Sequence, residues 1–140
     1  MRFWDSSALV PILVLEPASV EMRILVAEDT DMAVWWTTVV ECTSAISRRE
    51  RSNPLDAERG AEAFSALSRL SRTWLEVPPT ERLRENARRI VRLHDLSAAD
   101  AFQLAAAREA GDGQPETLVF VTLDERLALA ARREGFPVSP

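Results

Sequence analysis

LVFVTLDERLALAA, residues 118–131, is the stretch from which the fold class can be read. Leu118, Val119, Phe120 and Val121 form an unbroken apolar run of β-branched and aromatic side chains. That is the pattern of a short strand covered on both faces, as in a parallel sheet. The run stops at Thr122-Leu123-Asp124, and Leu127, Ala130 and Ala131 then fall on one face of a helix. An acid therefore stands where a buried strand becomes a helix. In open α/β sheets this is the rim, outside the carboxyl ends of the strands, where ligands bind. A local reading serves the same residues: Thr122 and Glu125 have capping-box spacing, and the helix dipole favours an acid in the first turn. Function at Asp124 requires that other acids reach the same rim.

The arrangement recurs at the N-terminus. Arg2-Phe3-Trp4 is a short strand that ends at Asp5. Ser6 or Ser7 then caps a helix bearing Leu9, Val10, Leu13 and Val14, with Pro11 in its early turns. Pro17 opens a second helix whose inner stripe is Val20, Ile24 and Ala27. Residues 32–36 form a second strand. Thr37 or Thr38 caps the helix that follows, which runs to about Arg51 with Cys42 and Ile46 inward and Glu41 in its first turns. Asn53-Pro54 reads as the cap and first position of a helix to about Arg72, with Ala63, Leu67 and Leu70 as its face. Residues 74–77 are a short strand closed by Pro78-Pro79. Thr80 caps a helix with Leu83, Ala87, Ile90 and Val91 inside, and Ser97 starts another that is rich in helix formers. Gly135 is the left-handed stop of the last helix, and Phe136-Pro137-Val138 adds a final strand. The order β-α-α-β-α-α-β-α-α-β-α-β predicts one α/β domain over residues 1–140, a three-layer α/β/α arrangement around a parallel sheet of four to five strands. Trp4, Trp35, Trp36 and Trp74 are expected in the core. Arg69, Arg72, Arg82, Arg84, Arg88 and Arg89 are expected on solvated helix faces.

The charged fraction of 28% and hydrophobic fraction of 46% are those of an ordinary globular chain. A net charge of -5 gives no global basic field for nucleic acid and leaves only local patches. All 17 basic residues are arginine. The single cysteine, Cys42, excludes an internal disulfide and a CxxC zinc site, and reads as a small buried hydrophobe. Arg2 followed by the apolar residues 8–15 faintly resembles a signal peptide, but none is expected, since Asp5 precedes the run, Pro11 interrupts it and no small-x-small site follows. No apolar run approaches the ~20 residues of a membrane span. A cytoplasmic protein with no membrane segment is expected.

Four acids converge on the predicted rim. Asp5 and Asp124 end strands. Glu41 lies one helical turn past a strand end, and Asp100 lies in the first turn of the helix that Ser97 begins. Each alone has a local reading as a helix-start or loop acid. Together they would repel, and their pKa values would rise unless a cation neutralised them. A cluster of oxygen ligands with neither His nor Cys suits a hard cation, Mg²⁺ or Mn²⁺. Such ions activate bound water and steady charge on a transferring phosphoryl group, so the chemistry implied is metal-assisted phosphodiester hydrolysis.

DSSAL at residues 5–9, Glu41 in its helix, LSAADAFQLAAA at residues 96–107 and VTLDERLALAARREG at residues 121–135 together resemble a PIN domain. More narrowly, they resemble the VapC toxins of toxin–antitoxin modules, in order and over almost the whole chain. The family's acidic positions fall on Asp5, Glu41, Asp100 and Asp124, none of them replaced. The resemblance implies a Mg²⁺-dependent endoribonuclease with Mn²⁺ as a possible substitute, a homodimer, and a cognate VapB-type antitoxin with which it would form a higher assembly. On that reading Asp5 and Asp100 are the principal metal ligands. Glu41 and Asp124 complete the acidic cup, and hold a second ion or orient the attacking water. Ser7 and Thr122 either support the carboxylates or cap helices; capping is the simpler expectation. Arg48, seven residues after Glu41 and on its helix face, and Arg49 are candidates for contact with RNA phosphates. The antitoxin is expected in a groove between residues 6–28 and residues 37–72, where an amphipathic helix could lie.

Other chemistries fit less well. A haloacid-dehalogenase-type phosphatase needs a second Asp where this chain has Ser7, and normally a lysine. A response-regulator receiver needs that lysine too. Gly60, Gly111, Gly113 and Gly135 make neither GxGxxG nor a P-loop. A Ser–His–Asp hydrolase would have to use His94, the sole histidine, without a nucleophile elbow. The alternative kept is a non-catalytic PIN-like module that binds RNA or a protein.

Overall fold

In the computed structural model, residues 1–29, 31–52 and 55–140 are described. Among these residues five parallel strands, β1 (Arg2–Trp4), β2 (Met32–Trp35), β3 (Leu75–Val77), β4 (Val119–Val121) and β5 (Val138–Ser139), form one sheet in the order β3-β2-β1-β4-β5. Arg2, Phe3 and Trp4 lie in register with Val119, Phe120 and Val121. The chain builds outward from β1 to β3, then crosses back to place β4 on the other side of β1. The strand order therefore reverses between β1 and β4, which makes their carboxyl ends the topological switch point.

Among the described residues, seven helices cover the sheet: α1 (Ser6–Leu13), α2 (Ser19–Ala27), α3 (Thr38–Arg51), α4 (Ala57–Leu70), α5 (Glu81–Leu93), α6 (Ala98–Ala110) and α7 (Glu125–Arg133). A 3-10 turn at Pro115–Thr117 precedes β4. Alternation along the strands sorts the side chains between two cores. Phe3, Ala33, Trp35 and Phe120 pack with Leu83, Ile90, Leu104 and Leu127 of α5, α6 and α7. Trp4, Met32, Val34 and Val121 pack with Leu9, Met22, Ile46 and Leu67 of α1 to α4. The three-layer arrangement and the parallel sheet are thus as read from the sequence, with five strands. Gly135 follows α7 with φ +95°, in the left-handed region.

Several local expectations are corrected. The stripe Val20–Ile24 of α2 faces outward, with Val20 71% exposed, because the helix docks through Ser19 and Met22 instead. Val91 is 40% exposed on the flank of α5. Trp36 lies just past β2 and is 53% exposed, whereas Trp35, still in the strand, stacks on Phe102 with ring centroids 5.6 Å apart. Arg89 is exposed, as expected of a solvated face, and pairs there with Glu134. The Asn53-Pro54 helix start lies outside the described residues; Asp56 caps α4 by accepting from the Arg59 N–H. Among the described residues, no helix is long and apolar enough to cross a membrane.

Candidate active site

Each acid reaches the rim through a helix start. Asp5 follows β1 and caps α1, its carboxylate accepting from the Ser7 N–H at 3.2 Å. Ser7 Oγ donates to the same oxygen, Oδ2, at 2.5 Å, and Thr122 Oγ1 does so at 3.0 Å. Ser7 Oγ accepts from the Leu123 N–H at 2.9 Å, and Thr122 Oγ1 accepts from the Asp124 N–H at 3.1 Å. The ends of β1 and β4 are thereby stitched together through one carboxylate oxygen. Oδ1 accepts no hydrogen bond among the described residues.

The two hydroxyls are therefore not helix caps. A cap must sit in extended backbone immediately before its helix. Ser7 is already inside α1, and Asp124, two residues after Thr122, takes the capping role by accepting from the Leu127 N–H at 2.9 Å. With Asp5 and Asp124 doing the capping, Ser7 and Thr122 are left to bind Asp5.

Glu41, in the first turn of α3, is held at both oxygens. Thr37 Oγ1 donates to Oε1 at 2.7 Å, and Gln103 Nε2 donates to Oε2 at 2.7 Å. Asp100, in the first turn of α6, accepts at Oδ2 from Ser97 Oγ at 2.7 Å, while that oxygen caps the helix by accepting from the Asp100 N–H at 3.1 Å. Asp5, Glu41, Asp100 and Asp124 all line one open cleft of about 970 Å³, together with Glu16, Arg48 and Arg49.

The cleft's electrostatics are unbalanced. Asp5 is only 4% exposed. Burial pushes its pKa up to about 6; the hydrogen bonds from Ser7 and Thr122 oppose the shift and the charge of Glu41 adds to it. Among the described residues, no arginine forms an ion pair with any of the four acids. Cys42, beneath the same acids, is pushed up to about 12 by burial and by the charges of Glu41 and Asp5, so it stays a thiol and supplies no nucleophile. Arg49 is committed to Glu16 and to the Ala45 carbonyl, the latter at 3.0 Å. Arg48 is exposed on the cleft wall and forms no ion pair among the described residues.

The donors available to a ligand are oxygens, which fits a hard divalent cation. Among the described residues, no three acids stand close enough together to hold an ion by themselves. Mg²⁺ does not require that, since it keeps several waters and binds through one or two carboxylates plus substrate phosphate. Asp5 in particular combines a buried charge with an unbonded oxygen.

A family model for the PIN domain matches residues 2–133. The chain belongs to the PIN domain family. Within it, this chain is 30% identical over 145 residues to Ribonuclease VapC45 of Mycobacterium tuberculosis (strain CDC 1551 / Oshkosh), with 99% of this chain and 94% of that relative covered. The structure of M. tuberculosis VapC20, a sarcin-ricin loop cleaving toxin, matches with a TM-score of 0.70 at 22% identity, over all of both chains. FitAcB from Neisseria gonorrhoeae matches with a TM-score of 0.68 at 16% identity, over 100% of this chain and 97% of that one. At those identities the structures speak for the fold.

Two contributors to this PIN domain's cleft escaped the sequence reading. In the sequence Thr37 reads only as a cap, whereas its hydroxyl goes to Glu41. Gln103 matches no motif, although it sits three residues after Asp100, on the same face of α6, among Ala101, Leu104 and Ala105. A lone amide on an otherwise apolar helix face was the available signal.

Proposed function

We propose that this PIN domain is a Mg²⁺-dependent endoribonuclease, with Mn²⁺ as a substitute, and the toxin of a VapBC-type toxin–antitoxin pair. The observation that carries the reading is the cleft at the switch point, lined by four carboxylates that no arginine of the described chain neutralises. The ribonuclease name of a relative covering 99% of the chain supports RNA as substrate. Asp5 and Asp100 would hold the ion, directly or through its waters, with Glu41 and Asp124 completing the acidic wall. Bound there, it would lower the pKa of a water and steady the charge on the phosphoryl group. Ser7 and Thr122 keep the Asp5 carboxylate from rotating. Arg48, exposed on the cleft wall, would meet a phosphate of the RNA. Trp36 lies on the far side of Thr37, in a hollow that shares Thr37, Glu41 and Ala99 with the cleft, and offers an indole face to a nucleobase.

The antitoxin would lie in a groove of about 870 Å³ between α1–α2 and α4, lined by Ile12, Leu15, Arg23, Glu62, Ala66 and Arg69. Its apolar floor and charged rim suit an amphipathic helix. We expect a homodimer alone and a higher assembly with the antitoxin. The central test is cleavage of total cellular RNA with Mg²⁺, with Mg²⁺ plus EDTA, and by Asp5→Asn. Cutting only in the first condition is expected. Equal cutting by the variant, or cutting that survives EDTA, would leave the non-catalytic binding module as the better reading.

A further inference from the structure

We infer that Gln103 is a positioning residue for Glu41, and that with Thr37 it sets the carboxylate's orientation toward a divalent cation; this rests on the metal-dependent reading above. Glutamate is a flexible ligand, and a half-exposed one would ordinarily sample several rotamers. Here each oxygen is taken once, Oε1 by Thr37 and Oε2 by Gln103, both at 2.7 Å. A carboxylate oxygen has two acceptor directions, so one on each remains for an ion or its water.

The Gln103 amide is committed to this task at a local cost. Its side chain is 1% exposed. Nε2 must face Glu41, because a carboxylate only accepts, and it also reaches Thr38 Oγ1 at 3.3 Å. Oε1 is then buried with no partner among the described residues. A buried unpartnered carbonyl destabilises a core, and an apolar side chain of the same length would remove that penalty. A rule of packing is broken beside the acidic cleft, where such violations concentrate.

The test uses Gln103→Met and Thr37→Val in the full chain, with Mn²⁺ alone as probe, titrated by calorimetry, alongside RNA cleavage and thermal melting. Gln103→Met should bind Mn²⁺ about tenfold more weakly, the usual scale for losing an outer support, with thermal melting to show that it is folded. The Mn²⁺ concentration giving half-maximal cleavage should rise in parallel, with KM for RNA unchanged. Thr37→Val, half-buried and outside the core, should shift the same way even if the Met variant does not fold. In a Glu41→Gln background, Gln103→Met should weaken Mn²⁺ no further. Unchanged Mn²⁺ affinity in both single variants, or an additive loss in the double variant, would overturn the positioning role alone. A wild-type chain that takes up no Mn²⁺ would overturn it together with the nuclease reading.

Discussion

Asp5 shows how one residue can serve the fold and burden it. Its Oδ2 caps α1 and joins Ser7 to Thr122, while its charge sits nearly out of solvent beside Glu41. Asparagine would keep an acceptor oxygen and discard the charge. In EDTA at neutral pH, Asp5→Asn should therefore be more stable than wild type, by about 1–3 kcal/mol from relief of a buried charge. Urea denaturation measures this, and a variant less stable than wild type would show that the charge is already compensated. Trp36 is the other residue whose surroundings decide its role. Because it is exposed, Trp36→Ala should leave the melting temperature within about 2 °C, as for most surface changes. The same variant should raise KM for RNA severalfold with kcat retained. An unchanged KM would remove the indole from the RNA path.

At the level of elements, α5, α6 and α7 are tied together away from the cleft. Glu134, at the end of α7, binds Arg89 of α5 and His94, with the His94 Nε2 contact at 2.8 Å, and lies 3.8 Å from Arg108 of α6. Burial alone would raise the Glu134 carboxyl. The hydrogen bonds and charges of Arg89 and His94 outweigh it and hold the group below its ordinary 4.5. A carboxylate with a depressed folded pKa adds stability above its unfolded pKa and loses it as pH falls through the folded one. Glu134→Gln should thus melt about 2–4 °C lower than wild type at pH 7, a shift fitting about 1 kcal/mol in a domain of this size. The gap should close as pH drops below 4.5. A gap that persists in acid would point to lost packing rather than lost charge. RNA cleavage should be unaffected, since the cluster is remote from the acids.

Taken whole, the molecule separates the acid-lined cleft from the groove proposed for the antitoxin. The acids occupy the carboxyl edge of the sheet, where β1 and β4 part company in chain order. The groove between α1–α2 and α4 shares none of the four acids with that cleft. Leu15 lines the groove and is 83% exposed among the described residues. Leu15→Asp should therefore leave RNA cleavage intact and weaken antitoxin capture at least tenfold, the scale of a buried apolar anchor replaced by a charge. Co-purification with a co-expressed VapB-type antitoxin, followed by an affinity measurement, would check it. Full-strength capture would move the partner to another face.

The local chemistry of this chain was legible in one dimension. Strand runs, helix periods and breakers are short-range signals, and the alternation of strands with helices leads to a parallel sheet. The four acids could be named because each stands at a strand end or a helix start. What reached beyond the sequence was direction and partnership. A capping pattern cannot distinguish Ser6 or Ser7 from Asp5, or Thr122 from Asp124, because each of these residues can cap. Only the register of β1 against β4 decides that two hydroxyls meet one carboxylate. The stripe of α2, the exposure of Trp36 and the Gln103–Glu41 bond depend on which surfaces the sheet brings together, across 62 residues of chain in the last case. Contacts at that separation are set by packing of the whole, and no local pattern encodes them.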